Sequence, residues 1–156
     1  MNIFVLDNDP KIAARYHTDR HVVKMILESA QMMSTVVRHS GIDFGYKSTH
    51  LNHPCTIWVR ASLSNWLWLG SLAYYLNLEF INRFGKTANH KSYDLIASLP
   101  WPLIPNIGLT PFAQAMPDQY KNTDPVVAYR QYYINEKRHL FQWTNTPCPP
   151  YQSWMN

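Results

Sequence analysis

The 156-residue chain is poor in cysteine, glycine and charge: it has two Cys, five Gly, and only 15% charged residues. Neither Cys55 nor Cys148 belongs to a C-x-x-C pair. That excludes a disulfide framework and a zinc ribbon, and a reducing cytoplasm is the expected setting. The amino-terminal Met1–Asp7 stretch lacks a basic leader and a long apolar run, so no signal peptide is expected. The longest uncharged stretch, 61–78, is interrupted by Ser62, Ser64, Asn65, Ser71 and Asn77. A membrane span is excluded on that reading. No Lys/Arg run occurs, so the net charge of +4 permits an anionic partner such as DNA or a nucleotide without demanding one. No cofactor motif is present, and the oligomeric state is not legible.

What remains is apolar and aromatic. Apolar residues make up 46% of the chain, and six Trp, ten Tyr and six Phe exceed what a core of this size needs. Eleven prolines serve as punctuation. Ile3–Leu6 is an apolar run that reads as a brief N-terminal β-strand. Asp9 and Pro10 then supply an N-cap and a first helical residue. Asp19 to about His39 is strongly helical, with Val22, Val23, Ile26, Ala30, Met33 and Val37 on one face and Gly41 as the stop. A second long helix is expected from Pro54 to Phe84, ended by Gly85, and a shorter one over 92–98. Residues 99–123, with five prolines, form a long irregular loop. Asp124–Pro125 opens a last helix reaching about Phe141. The expected fold is all-α: one compact helical bundle, a short N-terminal strand and a long Pro-rich loop.

The chemistry concentrates on the early helix. At ~100° per residue, His17, His21, Lys24, Glu28 and Gln31 fall within roughly 80° of one another. Histidine is an unusual choice for a merely wet face, and Lys24 before Glu28 is the weaker order for a surface i,i+4 pair. His21, Lys24 and Glu28, with His17, are therefore the candidate catalytic groups. His21 would act as general acid or base because an ordinary imidazole titrates near neutrality. A second cluster, His50, Asn52, His53, Trp58 and Arg60, stands at a helix entrance whose first-turn amides suit an anion. The bland alternative is that one His caps the helix and the other is exposed. A third cluster comprises Gln114 and Asp118 from the loop with Tyr129 and Arg130 from the last helix. The two clusters together are candidate substrate-binding residues. His17 and His21 at i,i+4 also have the spacing of a two-His metal site, which Arg20 and Lys24 would oppose.

The segments His21–Gln31, Asn52–Arg60, Leu109–Tyr120 and Asp124–Asn135 resemble those of a family of small phage-encoded proteins, a likeness that carries no assigned activity. The layout is also similar to the phage pyrimidine-dimer DNA glycosylases. Those are compact helical proteins with a catalytic Glu on an early helix and an Asn-His-Pro-like segment before a long helix. Glu28 and Asn52–His53–Pro54 would correspond. That family uses the α-amine exposed after removal of the initiator Met. Here Asn2 is a poor second residue for that removal, so a small free N-terminal residue is not expected. The resemblance implies an enzyme of phage DNA or nucleotide metabolism, a base-excising glycosidase. Two alternatives stay open: a metal-dependent hydrolase using His17 and His21, and a non-catalytic host-takeover or anti-defence protein that binds a nucleotide or a host protein.

Overall fold

In a computed structural model that describes residues 1–155, six α-helices run in the order α1 (Pro10–Tyr16), α2 (Asp19–His39), α3 (Pro54–Ala61), α4 (Leu63–Phe84), α5 (Lys91–Ser98) and α6 (Pro125–Glu136). Three short 3₁₀ turns, at Asp118–Tyr120, Arg138–Leu140 and Tyr151–Met155, complete the regular structure. None of the helices is long and apolar enough to cross a membrane among the described residues.

The caps behave as their chemistry dictates. Asp9 accepts from the Lys11 amide at 2.8 Å and Asp124 from the Val126 amide at 2.9 Å, each just ahead of a proline at the first helical position. Gly85 ends α4 at φ 59°, a left-handed geometry in which a side chain would be strained. α2 and α4 form the centre, with α1, α3 and α5 laid against them. Val22, Ile26, Ala30, Met33 and Val37 of α2 are all buried, as are Trp66, Leu69, Leu72 and Leu76 of α4. Each large apolar side chain so placed contributes about 1.5–3 kcal/mol relative to exposure.

Four local expectations are corrected. Ile3–Leu6 is not a β-strand: among the described residues no strand forms, so the segment has no ladder to join. It is nevertheless wholly buried, and its backbone finds other partners. The Ile3 amide donates to Asn2 Oδ1 at 2.8 Å, the Leu6 amide to the Phe4 carbonyl at 3.0 Å, and Arg130 Nε to the Leu6 carbonyl at 2.8 Å. A four-residue apolar run is equally compatible with a strand and with any buried segment.

At Thr18, which could either cap a second start or continue the helix, the chain breaks: His17 and Thr18 are extended, and Thr18 is the N-cap of α2. This takes His17 off the α2 stripe. The helix expected over 54–84 is two, because Ser62 is extended at φ −157°. Its hydroxyl donates to Asn106 Oδ1 and accepts from the Ile107 amide, both at 3.1 Å, so the Pro-rich loop is stitched into the break. Finally, α6 stops at Glu136, and the turn after it seats the Phe141 ring on Tyr133, Trp143 and Tyr151.

Candidate functional site

Glu28 lies on α2 but does not face water; its side chain is only 9% exposed. Its Oε1 receives the Met1 ammonium at 3.2 Å and the Asn2 amide at 3.1 Å. Its Oε2 stands 3.8 Å from Lys24 Nζ, which is itself largely exposed. His21, Phe4, Tyr132 and Lys137 complete the walls of a small, open pocket of about 120 Å³ around this carboxylate. A nearly buried carboxylate beside the Met1 ammonium and Lys24, with an open pocket next to it, is placed to meet positive charge developing on a bound molecule.

The chain start is held there by its side chains. Asn2 Nδ2 donates to the Ala115 carbonyl at 2.9 Å. The Tyr129 hydroxyl lies 3.1 Å from Asn2 Oδ1 while donating to the Ala113 carbonyl at 2.7 Å. The Cys55 thiol donates to the same Asn2 oxygen at 3.6 Å. Burial pushes that thiol up to about 11, so it is a structural donor rather than a nucleophile. Three distant segments thus meet at one side chain: the start of α3, the Pro-rich loop and α6. Asn2→Ala leaves these buried groups without a partner, an expected cost of about 1–3 kcal/mol. Thermal unfolding of the variant measures it; an unchanged Tm would mean that the clasp does not hold the chain start.

His21 stacks on Phe4, ring centroids 4.5 Å apart and 13° from parallel, and shares a 2.7 Å hydrogen bond between Nδ1 and the Tyr133 hydroxyl. Burial, aided by the nearby His17, Lys137, Lys24 and Arg20, lowers its pKa to about 3. It is therefore neutral at physiological pH, and the near-neutral titration that made it a candidate acid is gone. It remains a polar wall of the pocket. His17 is fully buried beneath, with Nδ1 bonded to the Ala13 carbonyl at 2.7 Å and its pKa lowered to about 4, mainly by burial. It does not line the pocket.

His53 is the N-cap of α3, its Nδ1 accepting from the Cys55 amide at 3.1 Å. Burial and then the Met1 ammonium lower its pKa, while Glu28 opposes them, so it borders the site electrostatically. His50 and Asn52 are exposed on the preceding turn. One histidine caps and the other is exposed, the bland arrangement of the pair. Trp58 is buried, donating to the Thr110 carbonyl at 3.2 Å and packed against Trp68 and Phe112, so it has no free face for a base. Arg60 lies 3.5 Å from His39, away from the pocket.

Gln114 clasps Asn122 within its own loop at 2.6 and 3.0 Å, and the exposed Asp118 pairs with Lys121 at 2.8 Å. Neither lines the pocket. Arg130 is engaged with the Leu6 carbonyl and Asp7 and covers the rings of Tyr16 and Trp154. Among the described residues, no three His, Cys, Asp or Glu side chains converge in a metal-binding group.

The sequence reading missed Met1 and Asn2 as parts of the site. No spacing rule connects residues 1–2 with Glu28, although the buried apolar run at Ile3–Leu6 was a signal that the chain start is drawn inward. No family model, curated protein or solved structure matches the chain.

Proposed function

We propose that this protein is a DNA- or nucleotide-acting enzyme that cleaves the bond between a base and its sugar, with Glu28 as the catalytic carboxylate. The observation that carries the reading is the pairing at one small pocket of a nearly buried carboxylate with a primary amine 3.2 Å away. As the C1′–N bond breaks, positive charge develops on the sugar, and a fixed carboxylate in a partly dry site stabilises it. The departing base takes the bonding electron pair and a proton. The amine nitrogen then forms a bond to C1′ and gives up its protons as the ring oxygen leaves C1′ and is protonated, giving an imine. Two primary amines stand beside Glu28: the Met1 ammonium and Lys24 Nζ. The first is the nearer, at 3.2 Å against 3.8 Å, and the more enclosed. Lys24 and Lys137, at the rim, suit the phosphates of a nucleic-acid strand. The similarity of layout to the pyrimidine-dimer glycosylases points the same way.

The test uses two end-labelled duplexes, one ultraviolet-irradiated and one carrying an abasic site. Borohydride is expected to trap a covalent protein–DNA adduct, and peptide mapping to place it on Met1 or Lys24. Glu28→Gln is expected to slow base release by about 10²–10³-fold. Full base release by that variant would remove Glu28 from the mechanism. Absence of both an adduct and base release with the unmodified protein would leave the pocket as a binding site only.

A further inference from the structure

A second concavity lies on the other side of α2. Met33, about 140° around the helix from Glu28 at ~100° per residue, lies at its floor, so this cavity is separate from the carboxylate pocket. Its volume is about 340 Å³, within the range of small-molecule sites. Trp66, Tyr74, Tyr75, Tyr93 and Trp101 form the walls, and Gly70 and Ser71 of α4 keep the floor open. At Gly70 a Cβ would come within 3.2 Å of the Met33 methyl, so the helices are already as close as they can sit there.

Three features distinguish this cavity from ordinary core. Trp101 is 62% exposed and lines the cavity mouth, and Pro102 after it biases its backbone towards the extended region. Trp66 is anchored, its Nε1 donating to the Met33 carbonyl at 3.2 Å, so it offers only a face. By contrast, the hydroxyls of Ser71, Tyr74, Tyr75 and Tyr93 and the Trp101 indole N–H make no hydrogen bond to any described residue. No charged side chain lines the cavity. Burial and the neighbouring Tyr74 raise the pKa of Tyr93, which keeps that rim neutral as well. The cavity therefore offers flat aromatic faces and unspent neutral donors and acceptors, with nothing to neutralise a phosphate or a carboxylate.

We propose that this cavity is a binding site for a neutral heteroaromatic ring of the nucleobase class, bound as a nucleoside rather than a nucleotide. Stacking against Trp101 and the tyrosines supplies the affinity, and the free hydroxyls meet the polar edge of the ring. The absence of cations selects against the phosphorylated form. A pyranose is disfavoured because no carboxylate or amide side chain is present to bond paired sugar hydroxyls.

The whole protein should be titrated with adenosine, thymidine and their 5′-monophosphates by ligand-observed NMR and calorimetry. Saturable binding of at least one nucleoside is expected, with its monophosphate equal or weaker. Trp101→Ala should weaken binding at least about fivefold. Ser71→Phe, at an exposed helical position, should block the cavity without disturbing the core. Absence of saturable nucleoside binding, equal binding by both variants, or a monophosphate tenfold tighter than its nucleoside would each overturn the assignment. None of these outcomes depends on Glu28 or on turnover.

Discussion

Arg83→Met is expected to cost about 3–5 kcal/mol and to lower Tm by roughly 10 °C. Arg83 is fully buried near the end of α4, with no water to share its charge. It donates to Asp19 at 3.2 Å, to Glu79 at 3.0 Å, to the His17 carbonyl at 2.7 Å and to the Arg15 carbonyl at 3.0 Å. Those two carbonyls belong to the turn where α1 gives way to α2, and the guanidinium replaces the helical bonds lost there. Asp19 reaches further, accepting from the Thr144 amide and hydroxyl at 2.9 and 2.6 Å. Removing the cation leaves two largely buried carboxylates and two carbonyls uncompensated, which is the costly way to break a buried ion cluster. Urea unfolding of the variant checks this. A loss under 1 kcal/mol would show that the cluster is replaceable by packing.

Stability is expected to fall by roughly 4 kcal/mol between pH 7.5 and pH 5, well above the acid range of carboxylates. The origin is the two buried histidines. The folded-state pKa values of His17 and His21 are about 4 and about 3, both below the ordinary imidazole value of 6.5. Lowered folded values mean that the unfolded chain binds protons first. Each histidine therefore withdraws stability as pH falls below about 6.5, until the folded form also protonates near its own pKa. The cause is chiefly desolvation, with Arg83 opposing charge on His17, and His17 and three basic side chains opposing it on His21. Urea midpoints across this range measure the slope. His21→Phe, which keeps the stack on Phe4, should roughly halve it, leaving the contribution of His17. A midpoint indifferent to pH would mean that the imidazoles are hydrated.

The long helices were legible because capping chemistry and apolar spacing speak directly about neighbours in the chain. Asp9, Pro10, Gly85 and Asp124 sit where their local preferences place them. The break at Ser62 was not legible. Its cause is a hydrogen bond to Asn106 across 44 positions, and Ser62 itself looks like any polar residue in a helix. The stripe on α2 drew attention to Glu28 but assigned it to a face opposite the core. In fact the buried N-terminal segment covers that edge, turning a wet-looking stripe into a pocket wall. Arg130, Trp58 and Asp118 were plausible ligand groups by type. Whether such a side chain is already engaged depends on tertiary partners that no periodicity reveals.

The clasp on Asn2 also sets a schedule for synthesis. Its partners Ala115 and Tyr129 lie 113 and 127 positions downstream. At about 5–20 residues per second, a ribosome needs roughly 6–25 s to deliver them after Asn2 has been made. During that interval the apolar Ile3–Leu6 stretch has no finished berth, and Glu28 has no settled counter-ion at the chain start. Pocket formation should therefore be one of the last events of folding, closing only after α6 is in place. A truncated product lacking α6 would carry the early helices and the carboxylate, yet no assembled site.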